Sequence, residues 1–342
     1  MHRYACVLAL LCAACTTTKA PTDSPDATLE VDAKVIPDAG PDFCNATDPR
    51  AVPVTIVPTP EAGEQPYLDA LATAQSSIRV QIYEMGYGGI LSQLVAKAGA
   101  GIDVRVMFDQ SKKSVNQKYY DQLAAAGAHV KWSDPKFTFQ HSKFFLVDAS
   151  VAVLSTGNFS KNYSIDLERN FVATDRDQAD LADVLALFDA DWDGATPEMS
   201  CTRMIISPIN ARSRLIDLIN SAQTTLTIES MQFADTAVRD AVKARVMAGV
   251  SVRVMLAEAS WITANAGAAT FLQGLGVTVK SIPHLHTKAI VVDGTSAYVG
   301  SENLSYTSLD KNRELGVIVT DASSIAPIAS TFEADWAIGT SF

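Results

Sequence analysis

The chain of 342 residues has no apolar run approaching the roughly 18 residues that a membrane-crossing helix needs, so the expectation is a mature protein that is soluble or merely anchored. It is also short of positive charge: 27 Lys and Arg stand against 38 Asp and Glu, a formal net charge of -11. That deficit disfavours a sequence-independent grip on nucleic acid, which needs surplus Lys and Arg on the contact face. One cluster runs the other way, with Lys112, Lys113, Lys118, Lys131 and Lys136 interleaved with Tyr119, Tyr120 and Trp132. Such a run is more often a solvated helix face than a nucleic-acid or headgroup surface. Histidine is scarce, at five residues, and no Cys/His/Asp group has the spacing of a zinc or iron site, which argues against a metal or other cofactor.

The N-terminus reads as an export signal over residues 1–15: Met1, His2 and Arg3, an apolar stretch YACVLALLCAA, then Cys15. Cys15 directly after Ala13 and Ala14 resembles a bacterial lipoprotein cleavage site, although Cys12 stands where that motif usually has Leu. Lipid anchoring and plain secretion both stay open, with the periplasm, cell envelope or exterior as destination. Residues 16–50, rich in Asp, Pro and Thr, read as a disordered tether. In an oxidising compartment Cys44 and Cys201 can pair, stapling the starts of the two segments that follow.

Those segments are copies of each other, at residues 51–198 and 199–342. AQSSIRVQIYEM from Ala74 matches AQTTLTIESMQF from Ala222, and GIDVRVMFD from Gly101 matches GVSVRVMLA from Gly249. HSKFFLVD from His141 matches HTKAIVVD from His286, and ERNFVATD from Glu168 is aligned with ELGVIVTD from Glu314. In each copy short β-branched runs alternate with Ala- and Leu-rich segments of helical period. The expected fold class is therefore α/β, with two duplicated units, each a mixed sheet flanked by helices, packed about a pseudo-twofold axis.

Each copy carries His-x-Lys-x4-Asp, as His141, Lys143 and Asp148 and as His286, Lys288 and Asp293. A small-residue turn with Asn follows (Ser155 to Asn158; Gly300, Ser301, Glu302, Asn303), and then a Glu, Glu168 or Glu314. On a strand, residues two apart share a face, so each His sits beside its Lys. Asp148 and Asp293 have the opposite parity and read as structural, pairing with a buried polar group. FFLV and AIVV between them read as core strand.

The doubled motif followed by Gly-Ser-x-Asn resembles the phospholipase D superfamily, from about residue 54 to the end. The first copy departs from it, with Ser155 and Thr156 where the family usually has Gly-Gly or Gly-Ser. The resemblance implies a phosphohistidine mechanism in which His141 is the nucleophile and His286 the acid and base, though pseudo-symmetry allows the reverse. Glu168 and Glu314 would each hold an imidazole in its tautomer, and Lys143, Lys288, Asn158, Asn303 and Ser301 would bind phosphate oxygens. The expected activity is hydrolysis of a phospholipid to phosphatidate and headgroup alcohol, at a membrane surface, by a monomer that is an internal pseudo-dimer. The alternatives are a metal-independent endonuclease, a cardiolipin synthase-like phosphatidyl transferase and a noncatalytic envelope-binding protein. His129 and His284, which lack counterparts, read as surface or satisfied core residues, and Trp261 and Phe271 as either cleft rim or core.

Overall fold

The computed structural model describes residues 44–342, so the leader, Cys15 and the tether as far as residue 43 lie outside the described residues. The first copy contains β1 (Thr55–Thr59), α1 (Gln65–Ala72), β2 (Ser77–Ile82), α2 (Gly89–Gly99), β3 (Asp103–Phe108), α3 (Lys113–Ala125), β4 (His129–Trp132), β5 (Lys143–Val147), β6 (Val151–Ser155), β7 (Asn170–Asp175) and α4 (Gln178–Asp193). The second contains β8 (Ile205–Ser207), α5 (Ala211–Asn220), β9 (Thr225–Ser230), α6 (Thr236–Met247), β10 (Ser251–Leu256), α7 (Ala264–Gly274), β11 (Thr278–Ser281), β12 (Lys288–Val292), β13 (Ser296–Gly300), α8 (Tyr306–Asp310), β14 (Glu314–Val319), α9 (Ala322–Ile338) and β15 (Thr340–Ser341). The repeat boundary at residues 198 and 199 falls in the segment between α4 and β8.

Each copy builds one mixed sheet, in strand order β1-β7-β6-β5-β2-β3-β4 and β15-β11-β10-β9-β12-β13-β14-β8. The parallel strands β2, β3 and β4 are joined through α2 and α3, whereas β5, β6 and β7 form an antiparallel meander. Both faces of each sheet are covered, which is why FFLV and AIVV read as unbroken apolar runs. Phe145 and Val147 face the layer of α1, α2 and α3, while Phe144 and Leu146 face a core shared with Ala289 and Val291 of β12. That shared core also takes Leu181, Val184 and Phe188 of α4 and Ile325 and Ile328 of α9, so the two copies are fused through it.

Repeated turn chemistry marks the duplication. Gly101 and Gly249, each just before its β-strand, both have φ of 87°, a left-handed conformation that glycine adopts without steric cost. Cys44 and Cys201 are joined by a disulfide, with Cα atoms 4.3 Å apart.

Candidate active site

The two His-x-Lys motifs are placed by exchange between the copies. His141 and Ser142 donate their backbone N–H to the carbonyl of Arg313, at 2.8 and 2.9 Å, and His286 donates to the carbonyl of Arg169 at 3.1 Å. The side chains of the same arginines cross the interface as well. Arg313 makes a bidentate pair with Asp191 of α4, both contacts 2.9 Å, and Arg169 one with Asp335 of α9 at 2.7 and 3.0 Å. Each arginine thus ties the other copy's histidine segment by its backbone and the other copy's last long helix by its guanidinium. A planar fork held at two points fixes orientation as well as distance.

Each imidazole is held from the opposite copy. His141 Nδ1–H donates to Glu314 Oε2 at 2.8 Å, and Glu314 also accepts from Ser301 at 2.6 Å, Ser308 at 2.6 Å and Asn312 at 2.9 Å. A carboxylate so fixed holds the proton on Nδ1 and leaves the Nε2 lone pair free. His286 is held differently. Its Nδ1 lies 2.9 Å from Asn170 Oδ1 and 3.0 Å from Lys288 Nζ, whereas Glu168 stands 3.8 Å away and accepts from Ser164. Protonated, Nδ1 donates to the Asn170 amide; deprotonated, it accepts from Lys288. His286 therefore has a hydrogen bond at Nδ1 in either state.

Both lysines are buried and donate to the carbonyl of their own histidine, Lys143 to His141 and Lys288 to His286 at 2.6 Å. The His-x-Lys spacing does bring ammonium and histidine together, as strand parity requires. Burial lowers the Lys143 pKa to about 8 and, with the charge of Lys143, brings Lys288 well below its ordinary value. Burial also lowers His141 to about 4, against the raising effect of Glu314, and brings His286 well down, helped by the charges of Lys288, Lys143 and His141. Burial pushes Glu314 up, but the charge and hydrogen bond of His141 win, and its pKa is lowered. Burial is the larger effect on both lysines, against the raising effect of nearby carboxylates, and an anion placed between them would draw them back to their charged form.

The structure corrects the alignment of the last motif. In the β-ladders Ser155 faces Val172 and Gly300 faces Gly316, so Asn170, not Glu168, is the counterpart of Glu314, and Glu168 that of Asn312. One copy reads Glu168-Arg169-Asn170 and the other Asn312-Arg313-Glu314, with acid and amide exchanged around the clamping arginine. The place beside the His286 imidazole expected of Glu168 is accordingly taken by Asn170. Sequence reasoning passed over Asn170, Arg169 and Arg313, although the mirrored triplets are legible once Arg169 is set against Arg313.

Other expectations shift in detail. Asp148 and Asp293 are structural, but their partners are not buried polar groups. Each sits in a turn at positive φ (50° and 52°) and caps backbone N–H groups: Asp148 those of Gln75, Ser76 and Ser77, Asp293 those of Gln223, Thr224 and Thr225. Partial burial opposes ionisation there, but these hydrogen bonds hold both carboxyls at about 2. Ser301, expected at the phosphate, donates its hydroxyl to Glu314 at 2.6 Å. Asn158 and Asn303 have their backbone N–H tied to Ser164 and Ser308, and their side-chain oxygens are buried without a partner among the described residues.

The lysine cluster is largely committed. Lys113 and Lys118 lie over the rings of Trp132 and of Tyr87 and Tyr119, Lys131 and Lys136 bond the carbonyls of Trp192 and Ala195, and Lys112 pairs with Glu84 at 2.6 Å. His129 is exposed, and exposed His284 contributes its carbonyl, which accepts from the Arg169 N–H. Trp261 borders the site, its ring 6.1 Å from that of His286, whereas Phe271 packs on the second copy's core. Among the described residues no group of three or more His, Cys, Asp or Glu is placed to hold a metal ion, and no helix is long and apolar enough to cross a membrane.

Comparison with known proteins bears on the family and the fold. A family model described as cardiolipin synthase, PLD-like domain, matches residues 67–192 and 215–336, one match per copy. Similar sequences include a probable cardiolipin synthase, YwiE, of Bacillus subtilis (26% identical over 324 residues; 80% of this chain, 64% of the relative). A cardiolipin synthase of Oceanobacillus iheyensis is 24% identical over 313 residues, covering 78% of this chain and 65% of the relative. The chain thus spans about two thirds of the length of these relatives. A phosphatidylserine synthase from Haemophilus influenzae shares the fold with a TM-score of 0.68 at 12% identity, over 84% of this chain and 87% of that one. A polyphosphate kinase from Porphyromonas gingivalis does so with a TM-score of 0.67 at 17% identity, over 83% and 47%. With the family model matching both copies of a doubled His-x-Lys site, the chain belongs to the phospholipase D superfamily, in the family of cardiolipin synthase-type PLD-like domains.

Proposed function

We propose that this protein transfers a phosphatidyl group from one alcohol to another through a phosphohistidine on His141, in the manner of a cardiolipin synthase. The observation that carries the reading is the unequal holding of the two imidazoles. His141, locked by Glu314 with Nε2 free, is built to attack phosphorus; His286, hydrogen-bonded at Nδ1 in either state, is built to give and take a proton. In the first step His141 Nε2 bonds to phosphorus, the bond from phosphorus to the headgroup oxygen breaks, and His286, drawn to its imidazolium form by the bound phosphodiester anion, protonates the departing alcohol. In the second, His286 takes the proton of an incoming alcohol, whose oxygen replaces His141 on phosphorus. Lys143 and Lys288, charged once the phosphodiester is bound, neutralise the nonbridging oxygens.

Hydrolysis to phosphatidate is the same sequence with water as acceptor. The relatives named as cardiolipin synthases support transfer as the main outcome. The engaged state of the lysine cluster and the net charge of -11 weigh against the endonuclease alternative. We propose further that the protein acts outside the cytoplasm, a reading supported by the Cys44–Cys201 disulfide and by the leader-like pattern of residues 1–15 in the sequence.

The test is to incubate the protein with phosphatidylglycerol vesicles and, separately, with DNA and RNA, all in excess chelator. Diphosphatidylglycerol and free glycerol are the expected products. Nucleic-acid cleavage without lipid turnover would replace this reading with the endonuclease, and lipid turnover only on addition of metal would remove the assigned role of the lysines.

A further inference from the structure

The two walls beside the histidines differ in chemistry. β2 and β9 are equivalent strands, since Ile82 pairs with Lys143 as Ser230 pairs with Lys288, so Tyr83 and Glu84 correspond to Met231 and Gln232. On the His141 side the Tyr83 ring lies 4.6 Å from the imidazole, Lys112 Nζ lies 4.8 Å from the centre of that ring, and Lys112 pairs with Glu84. That wall is polar and charged. On the His286 side Met231 is fixed to the motif by its N–H, which donates to Thr287 at 2.8 Å. Met231 and Ile262 pack on an apolar cluster of Met255, Ala257, Ile282, Leu285 and Phe332. Trp261, tilted 30° to the His286 ring, remains 37% exposed. An indole left open to solvent beside a catalytic imidazole makes an apolar wall available to a ligand.

We propose that Trp261 forms the subsite for the attacking alcohol and selects an alcohol with an apolar tail over water. This rests on the transfer reading above. In-line attack by His141 sends the leaving oxygen toward His286, and the acceptor must enter where the leaving group departed, because His286 serves both steps. The acceptor's carbon chain then lies along the indole while its hydroxyl faces His286. Water gains nothing from that surface. Attack by the alcohol breaks the bond from His141 to phosphorus, forms the new bond from phosphorus to oxygen, and leaves the proton on His286; attack by water gives phosphatidate instead.

The experiment measures partition of one intermediate between two acceptors. Phosphatidylglycerol in detergent micelles is turned over in the presence of n-butanol, and the ratio of phosphatidylbutanol to phosphatidate is read for wild type, Trp261→Ala, Trp261→Phe and Lys112→Ala. The ratio should fall about tenfold in Trp261→Ala, the order of discrimination an apolar contact supplies, be largely kept in Trp261→Phe, and stay put in Lys112→Ala. In wild type it should also climb from ethanol through butanol to hexanol at equal concentration. An unchanged ratio in Trp261→Ala, an equal fall in Lys112→Ala, or a flat chain-length series overturns the subsite. Wild-type protein that releases neither glycerol nor any phosphatidyl product overturns the transfer reading itself, and is distinguished by the missing turnover.

Discussion

The first copy offers its partner's histidine an amide, and the second offers its partner's histidine a carboxylate. Four features around that difference recur in both copies: the crossing arginine, its aspartate on the last long helix, the backbone bonds onto the histidine segment, and a hydroxyl, Thr156 or Ser301, bonded to the amide or acid. A duplicated scaffold that is nearly symmetric has thus been given two chemically unequal imidazoles by exchanging the outer residues of one triplet. The exchange keeps both side-chain types in each copy. Glu168 still stands in the first, near Ser164, but 3.8 Å from the ring it would need to touch.

The strongest way to break the comparison is to remove each imidazole. His141→Asn and His286→Asn should each lower turnover of a natural phosphodiester by about 10⁴-fold or more. With a p-nitrophenyl phosphodiester, whose leaving group needs little protonation, His286→Asn should still form the intermediate and stall. Acid-labile, base-stable phosphate on the peptide containing His141 is the expected trace. Label on His286 in the His141 variant would reverse the roles, and residual turnover without label in either would reject the covalent path.

A milder change sharpens the comparison. Asn170→Glu combined with Glu168→Asn gives both copies the same triplet and faces His286 with a carboxylate. That charge favours the imidazolium, the form that protonates the leaving alcohol, so the basic limb of the kcat/KM profile should move to higher pH, while the second step, which needs the free base, should slow kcat at neutral pH by about 10- to 100-fold. Asn170→Asp should show the same displacement, while Asn170→Gln, which keeps the amide, should leave the limb where it is. An identical limb in all three would make Asn170 merely a packing residue.

Much of this arrangement was legible before any coordinates. The copies follow from the matched segments, the α/β class and most elements from periodicity, and the His-x-Lys pairs from strand parity. What escaped was relation across the copies. The alignment put Glu168 on Glu314 because identical letters are weighted over geometry, and only the pairing of β6 with β7 and β13 with β14 sets Asn170 there. β8, three residues long, is too short to carry a period, and its place beside β14 is fixed by Arg313, which donates to the Ser207 carbonyl. Asp148 and Asp293 were rightly set apart from the chemistry, yet a carboxylate capping a neighbouring strand's amides some 70 residues away leaves no local pattern.

The two arginine clamps differ in setting, which orders their stability effects. Arg313 and Asp191 are both 2% exposed, whereas Arg169 is 13% exposed and shares its charge with Glu61 as well as Asp335. Both aspartates are buried, so Arg313→Ala, which leaves Asp191 with Gln81 in a dry setting, should cost about 3–5 kcal/mol in denaturant unfolding; Arg169→Ala, whose site water can partly enter beside Asp335, should cost less. Equal costs would mean that burial does not distinguish them. Removing the disulfide by Cys44→Ser and Cys201→Ser should cost about 2–4 kcal/mol, since it closes a loop of 157 residues.

The smallest effect expected concerns how interior and surface respond to acid. The pKa of His286 is brought below its ordinary value by burial and by neighbouring lysines, so the unfolded chain takes up its proton first as pH falls. Stability then rises with pH wherever the unfolded state holds more protons, and this contribution is lost as pH drops from about 6.5. Asp148 and Asp293 act in the other window: held at about 2 against an ordinary 3.8, their contribution is present above 3.8 and lost as pH falls through 2. Between pH 7 and pH 5 only the interior should respond. His286→Gln, which can still donate to Asn170, removes one titrating group, and its Tm should fall less over that interval than that of the wild type, by on the order of 3 °C. Asp148→Asn should lower Tm at both pH values by the same amount and leave the interval unchanged. Parallel lines for wild type and His286→Gln would show that the imidazole is not held neutral in the folded protein, and the proton economy assigned to the second copy's histidine would have to be redrawn.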